Sequence, residues 1–154
     1  MKRAILATSA IDVATELAAH DRGGHGASAS FIGRVRADDG VTELFLEHHP
    51  AMTAAALDAL ATDALARWSL DAVTLVHRVG AMVPGETIVL VLTSSAHRDD
   101  ALAAASFLID RLKTDVPLWK RETLADGGVR WVEPRANDEA RAAGWEQNTS
   151  ASSS

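Results

Sequence analysis

Between Ser94 and Glu122 the chain carries His97, Arg98, Lys113, Lys120 and Arg121, in a protein with 15 Lys and Arg against 21 Asp and Glu. Basic groups gathered within an acidic background point to a local anion site, not to a generally adhesive surface. The two lysines carry the most chemical interest. A lysine close to other positive charge gives up its proton more readily and can then act as a base or nucleophile.

Each of these residues also has a plainer reading. His97 and Arg98 follow an apolar run and precede a helical pattern, where free backbone N–H groups and the helix dipole suit a phosphate. They could equally be a solvated loop pair. Lys113 falls in the last turn of the same helix, and attraction to the dipole explains it without catalysis. Lys120 lies beyond Pro117 on an expected strand, so it and Arg121 must face opposite ways. A half-exposed strand lysine is its ordinary reading, and Trp119 reads as packing. Arg34 and Arg36 share one face of a strand by period two, where they either sit in water or grip an anion. Gly33 beside them permits close backbone approach or a bulge.

Other constellations fall away. Glu47-His48-His49 invites a metal, but neighbouring strand residues face opposite ways and no spaced partner histidine follows, so no metal is expected. His77 beside Arg78 reads as structural. The chain has no glycine-rich phosphate loop, nucleotide fingerprint or Gly-x-Ser-x-Gly elbow. It has no cysteine either, which removes disulfides, thiolate metal sites and a thiol nucleophile together.

The 154 residues suit one domain, expected over 1–147, followed by a disordered serine-rich tail at 148–154. A net charge of −6 argues against a nucleic-acid partner, which needs a basic face. Met1-Lys2-Arg3 and the apolar residues after it faintly resemble a signal peptide. Asp12 and Glu16 cut that run short, and a first strand and helix of the mature protein are expected instead. No run approaches the ~18 apolar residues a membrane crossing requires, and a cytoplasmic setting with no membrane partner is expected.

The elements that must position these residues follow from the pattern. His20 to Gly26 is expected to be a loop. Ala27–Arg36 and Val41–His48 read as paired strands across Asp38-Asp39-Gly40. Pro50 suits a helix start, with helical spacing at Leu57, Leu60 and Leu65. Ala72–His77 and Thr87–Thr93 read as buried strands. Ser95 is the expected N-cap of a helix that places Leu102, Ser106, Ile109 and Leu112 or Lys113 along one face. Val116-Pro117 stops it, and Leu118–Thr123 with Val129–Glu133 form a hairpin across Asp126-Gly127-Gly128. The expected class is α+β in one domain: a mixed or antiparallel sheet, flanking helices and a C-terminal β-hairpin.

Six stretches then occur in a recognisable order: Phe31-Ile-Gly-Arg-Val-Arg, Leu46-Glu-His-His-Pro-Ala-Met, Val76-His-Arg-Val-Gly, Thr93-Ser-Ser-Ala-His-Arg, Leu112-Lys-Thr-Asp-Val-Pro-Leu-Trp-Lys-Arg-Glu and Arg130-Trp-Val-Glu. Spread over about Ala27 to Arg135, they resemble the large, catalytic subunit family of molybdopterin synthase. The resemblance implies an α/β-hammerhead fold and a sulfurtransferase of molybdenum cofactor biosynthesis. Its substrate would be precursor Z, a cyclic pyranopterin monophosphate that receives the dithiolene sulfurs. The sulfur would arrive on the C-terminal thiocarboxylate of a small ubiquitin-like subunit, with no cofactor needed. It further implies a homodimer within a heterotetramer, each site combining residues of both large chains.

By the same resemblance Lys113 and Lys120 are the catalytic lysines, while Arg36, His97, Arg98 and Arg135 bind substrate, with Arg34 and Arg121 added to that set. Against the family's pattern, Arg34 stands where lysine is frequent, His49 where an aromatic residue is frequent, and the loop Ala37–Gly40 is short. Two other readings remain. One is a non-catalytic module binding a phosphorylated metabolite or a partner's C-terminal tail. The other is a Schiff-base lysine enzyme acting on a phosphorylated carbonyl compound.

Overall fold

The computed structural model describes residues 1–132 and 140–146. Arg135 and the 148–154 stretch lie outside the described residues. Eight strands run in the order β1 (Lys2–Ala7), β2 (Ala27–Arg34), β3 (Val41–His48), β4 (Leu70–Arg78), β5 (Gly80–Met82), β6 (Thr87–Ser95), β7 (Leu118–Leu124) and β8 (Val129–Val132). Between them lie α1 (Val13–His20), α2 (Pro50–Arg67) and α3 (Arg98–Asp115). A further helix, α4, covers 140–146.

One sheet has the order β1-β4-β6-β2 and the other β5-β3-β7-β8. Among the described residues only the β1–β4 pair is parallel, and the other ladders are antiparallel. The expected α+β class with its mixed sheet and final hairpin is what the chain forms. The expected pairing of Ala27–Arg36 with Val41–His48 is not. β2 pairs with β6, and β3 pairs with β5 and β7 in the other sheet. Asp39, at φ 58°, turns the chain through a short 3₁₀ segment, Asp38–Gly40, that redirects it between sheets. Asp tolerates that left-handed conformation better than most residues.

α2 and α3 cover one face of the first sheet. Leu57, Leu60, Ala61 and Ala64 from α2 meet Phe107, Leu108 and Leu112 from α3 over Val73, Leu75 and Val91. Val76, Leu90 and Leu92 point to the opposite face, where Ile11 and Val13 at the start of α1 cover them. Leu44, Leu46 and Met82 close the second sheet onto Val35 and Ile88. Phe107 is the pivot of the helical layer. It meets Trp68 and Trp145 edge-on at 5.2 and 5.6 Å between centroids, with the Arg67 guanidinium 4.6 Å from its own ring centroid.

Three local expectations shift. α3 is capped by His97, while Ser95 closes β6, its hydroxyl donating to the Ser69 carbonyl at 2.9 Å. α3 buries Ala101, Ala104, Ala105, Phe107, Leu108 and Leu112, leaving Leu102, Ser106 and Lys113 outside. Small alanines let the helix sit close to the sheet, so the larger residues do not mark its inner stripe. His20 is the last residue of α1, not loop, and it is buried.

Candidate active site

At the N-terminus of α3, His97 and Arg98 are exposed and line a hollow of about 440 Å³ with Gly26, Ala27, Ala96 and Asp99. The strand-to-helix join is short because Ser95 ends β6 and its Oγ accepts from the His97 N–H at 3.4 Å. Asp99 and Asp100 occupy the first turn, where the dipole favours them. Arg98 Nε lies 4.0 Å from Asp99 Oδ1, an exposed contact that leaves the guanidinium available to an anion. Gly26 presses on the backbone of Ala96, so that a β-carbon there would collide with the Ala96 carbonyl oxygen.

At the other end of α3, Lys113 is exposed in the last turn. Val116 caps the helix, and Pro117 follows with its carbonyl accepting from the buried Thr53 hydroxyl at 2.9 Å. Thr53 Oγ1 also accepts from the His49 N–H, so the start of α2 fixes the turn into β7. On β7, Lys120 stands opposite Leu46 and Val132 and is exposed.

His77 is buried within the electrostatic reach of Lys120. Burial pushes the His77 imidazole down to about 4, the Lys120 charge adds to that effect, and the hydrogen bond to the Arg78 carbonyl opposes it. The ring is therefore neutral at pH 7, with Nδ1–H donating to Arg78 O at 2.8 Å. Arg78 is buried too, donating to Ala81 O at 3.0 Å and lying 3.8 Å from Glu86, while its Nε has no hydrogen-bond partner.

The other expected residues lie apart from these. Arg121 is on the opposite face of β7, its guanidinium 4.7 Å from the Phe45 ring centroid and 5.8 Å from that of Trp131. Arg34 ends β2, just beyond a register shift at Gly33. Arg36 lies past the strand, so the two do not share a strand face as expected, and it pairs with Asp38 at 3.3 Å. Trp119 is 52% exposed and not packed. With Trp131, Glu47, His48, His49 and Pro50 it walls a groove of about 550 Å³. His49 caps α2, its Nδ1 accepting from the Met52 N–H at 3.2 Å. Among the described residues no group of three His, Asp or Glu could hold a metal ion, and no helix is long and apolar enough to cross a membrane.

His97 and Arg98 thus stand at one end of α3, and Lys113 at the other. At 1.5 Å per residue, His97 and Lys113 are about 24 Å apart along the helix axis. One chain does not bring them to a common substrate.

A family model described as MoaE protein matches residues 6–115. The chain belongs to the MoaE family. A molybdopterin synthase catalytic subunit from Haemophilus ducreyi is 47% identical over 123 residues, covering 78% of this chain and 81% of that protein. The molybdopterin cofactor biosynthesis protein E from Burkholderia multivorans superposes with a TM-score of 0.80 at 41% identity, covering 95% of this chain and 97% of the other. A molybdopterin synthase crystal structure from Staphylococcus aureus gives a TM-score of 0.78 at 29% identity, covering 86% and 98%. The MoaE motifs seen in the sequence therefore sit on the MoaE fold.

Sequence reasoning read His77 beside Arg78 as structural, and the structure buries both. The signal was available: Ala72 to Val79 lacks the alternation of a half-exposed strand, so both residues had to be buried. It passed over His20, whose glycine-rich surroundings disguised the end of a helix.

Proposed function

We propose that this chain is the catalytic subunit of a molybdopterin synthase, a sulfurtransferase that inserts the dithiolene sulfurs into precursor Z. Membership of the MoaE family supports the reading. The observation that carries it into mechanism is the roughly 24 Å between His97 and Lys113. A homodimer in which one chain contributes His97 and Arg98, and the other Lys113 and Lys120, completes a site that one chain leaves divided.

In this reading His97, Arg98, Arg36 and Arg135 hold the phosphate and pterin through charge-assisted hydrogen bonds. Arg34 and Arg121 add positive charge at the margin. Lys113 serves as base or transient acceptor during sulfur transfer, and Lys120 stabilises developing oxyanion charge or positions the incoming tail. A catalytic subunit presupposes a second subunit. The sulfur donor is the thiocarboxylated C-terminus of a small ubiquitin-like partner, giving a heterotetramer with a small subunit at each end. No bound cofactor is invoked, since the partner brings the sulfur and this chain has no cysteine to supply it. A cytoplasmic setting is part of the proposal.

The test is a single-turnover reaction with precursor Z and the thiocarboxylated small subunit, followed by mass spectrometry of the product. Dithiolene product from the wild type and none from Lys113→Ala is the expected result. Absence of product from a folded protein that binds the small subunit would replace the enzyme by a binding module.

A further inference from the structure

We propose that His20, at the C-terminus of α1, is a positioning residue for the His97–Arg98 end of the site. The proposal rests on reading that hollow as the anion-binding half of the site. His20 is 2% exposed and lies against the face of the first sheet opposite α2 and α3. Its two ring nitrogens join different strands: Nδ1 is 2.9 Å from Thr74 Oγ1 on β4, and Nε2 is 2.7 Å from Ser94 Oγ on β6. Ser94 Oγ is in turn 2.8 Å from Ser28 Oγ on β2. One imidazole therefore ties the middle of β4 to the end of β6 and, through Ser94, to the start of β2, the latter two meeting the hollow.

The connection to the site is short. Ser94 precedes Ser95, whose hydroxyl receives the His97 N–H. Ser28 follows Gly26 and Ala27, which form the facing wall. Losing the His20 bridge would leave buried hydroxyls of Thr74 and Ser94 short of a partner and loosen both walls. A one-ångström displacement of an anion-binding pair is enough to weaken binding markedly.

The bridge also has a preferred protonation state. A neutral imidazole offers one donor and one acceptor, which suits two hydroxyls able to play either part. A second proton forces both nitrogens to donate, so Ser94 can no longer donate to the ring. Among the described residues no ion pair meets that charge. Burial lowers the His20 pKa most, and His25 and the chain's amino terminus lower it further, while Asp21 acts in the opposite sense. His25 itself contacts Asp71 on β4 at 3.2 Å.

The experiment measures sulfate binding to the full chain by calorimetry at pH 7.5, where the probe is a dianion. Wild type is compared with His20→Leu, His20→Gln and Arg98→Ala. At pH 7.5, His20→Leu should weaken binding by roughly five- to tenfold, a moderate loss on the scale where each decade reflects one lost favourable contact. His20→Gln, with one donor and one acceptor, should retain it.

Equal weakening in His20→Gln and His20→Leu would overturn the proposal, as would wild-type affinity in a folded His20→Leu variant while Arg98→Ala has lost binding. Undiminished binding in Arg98→Ala would instead overturn the anion reading of the hollow, and the proposal with it.

Discussion

Arg98 and Lys113 stand at opposite ends of α3, about 22 Å apart along its axis, and both face solvent. A helix of this length acts as a spacer. It fixes how far apart two cationic groups of one chain must be, and so which of them can meet only through a second chain.

Mixed dimers expose that arrangement. Arg98→Ala and Lys113→Ala should each be inactive alone. Co-refolded in equal amounts, they should recover about one quarter of wild-type sites, because half the dimers are mixed and each carries one intact site. Lys113→Ala mixed with Lys120→Ala should recover nothing, since the proposed site takes both lysines from the same chain. Single-turnover product yield checks both mixtures.

Lys113→Ala and Lys120→Ala should remove activity without removing the fold. Both side chains are exposed, so each change should alter stability by no more than about 0.5 kcal/mol. The turnover rate should fall by roughly 10²-fold or more, the scale of a lost acid–base group. Urea unfolding beside the turnover assay separates the two effects.

His77 gives stability a pH dependence of known sign. Its folded value of about 4 lies below the ordinary 6.5, so the unfolded chain binds a proton that the folded chain refuses. The stabilisation is fully present above pH 6.5 and is lost progressively as pH falls towards 4. The loss should be about 3 kcal/mol, from 1.36 kcal/mol per unit. His20, also lowered, adds in the same direction. Urea midpoints at pH 7 and 4.5 should differ markedly for wild type and less for His77→Leu.

Gly26→Ala should damage the His97 end selectively. The added carbon would meet the backbone oxygen of Ala96, which no rotamer change relieves. A loss of about 1–3 kcal/mol is expected from such overpacking. Weaker substrate binding should accompany it, because Ala96 precedes His97. Calorimetric unfolding and the substrate dependence of the rate read the two consequences.

Phe107→Ala should be among the most costly single changes. The ring is fully buried between Trp68, Trp145 and two guanidinium groups, and about 3–5 kcal/mol should be lost on truncation. Thermal unfolding measures it directly.

Much of the architecture was legible because local chemistry and fold agree. Pro50 opens α2 where its missing N–H does no harm, Pro117 ends α3, and Gly127 at φ 87° makes the β7–β8 turn. Asp38-Asp39-Gly40 misled because it is sound hairpin chemistry placed between strands of two different sheets. What decides there is non-local: the apolar β6 finds β2 and β4 on its two sides. The inner stripe of α3 was hidden for a related reason, since Ala101, Ala104 and Ala105 carry little hydropathic signal yet lie nearest the sheet. The site residues were visible as an ordered set of motifs. Their division between the ends of α3 was visible too, because the helical pattern puts His97 and Arg98 before its first turn and Lys113 in its last.

The four tryptophans divide evenly between two environments. Trp68 and Trp145 pack edge-on at 5.7 Å around Phe107, whereas Trp119 and Trp131 flank an open groove and are 52% and 54% exposed. The protein thus carries two built-in fluorophore populations, one half-buried against the core and one facing water. Whatever comes to cover the β7–β8 face will blue-shift the second population and leave the first unchanged. Unfolding will red-shift the first and spare the second, so a single emission spectrum separates assembly from loss of fold without any label.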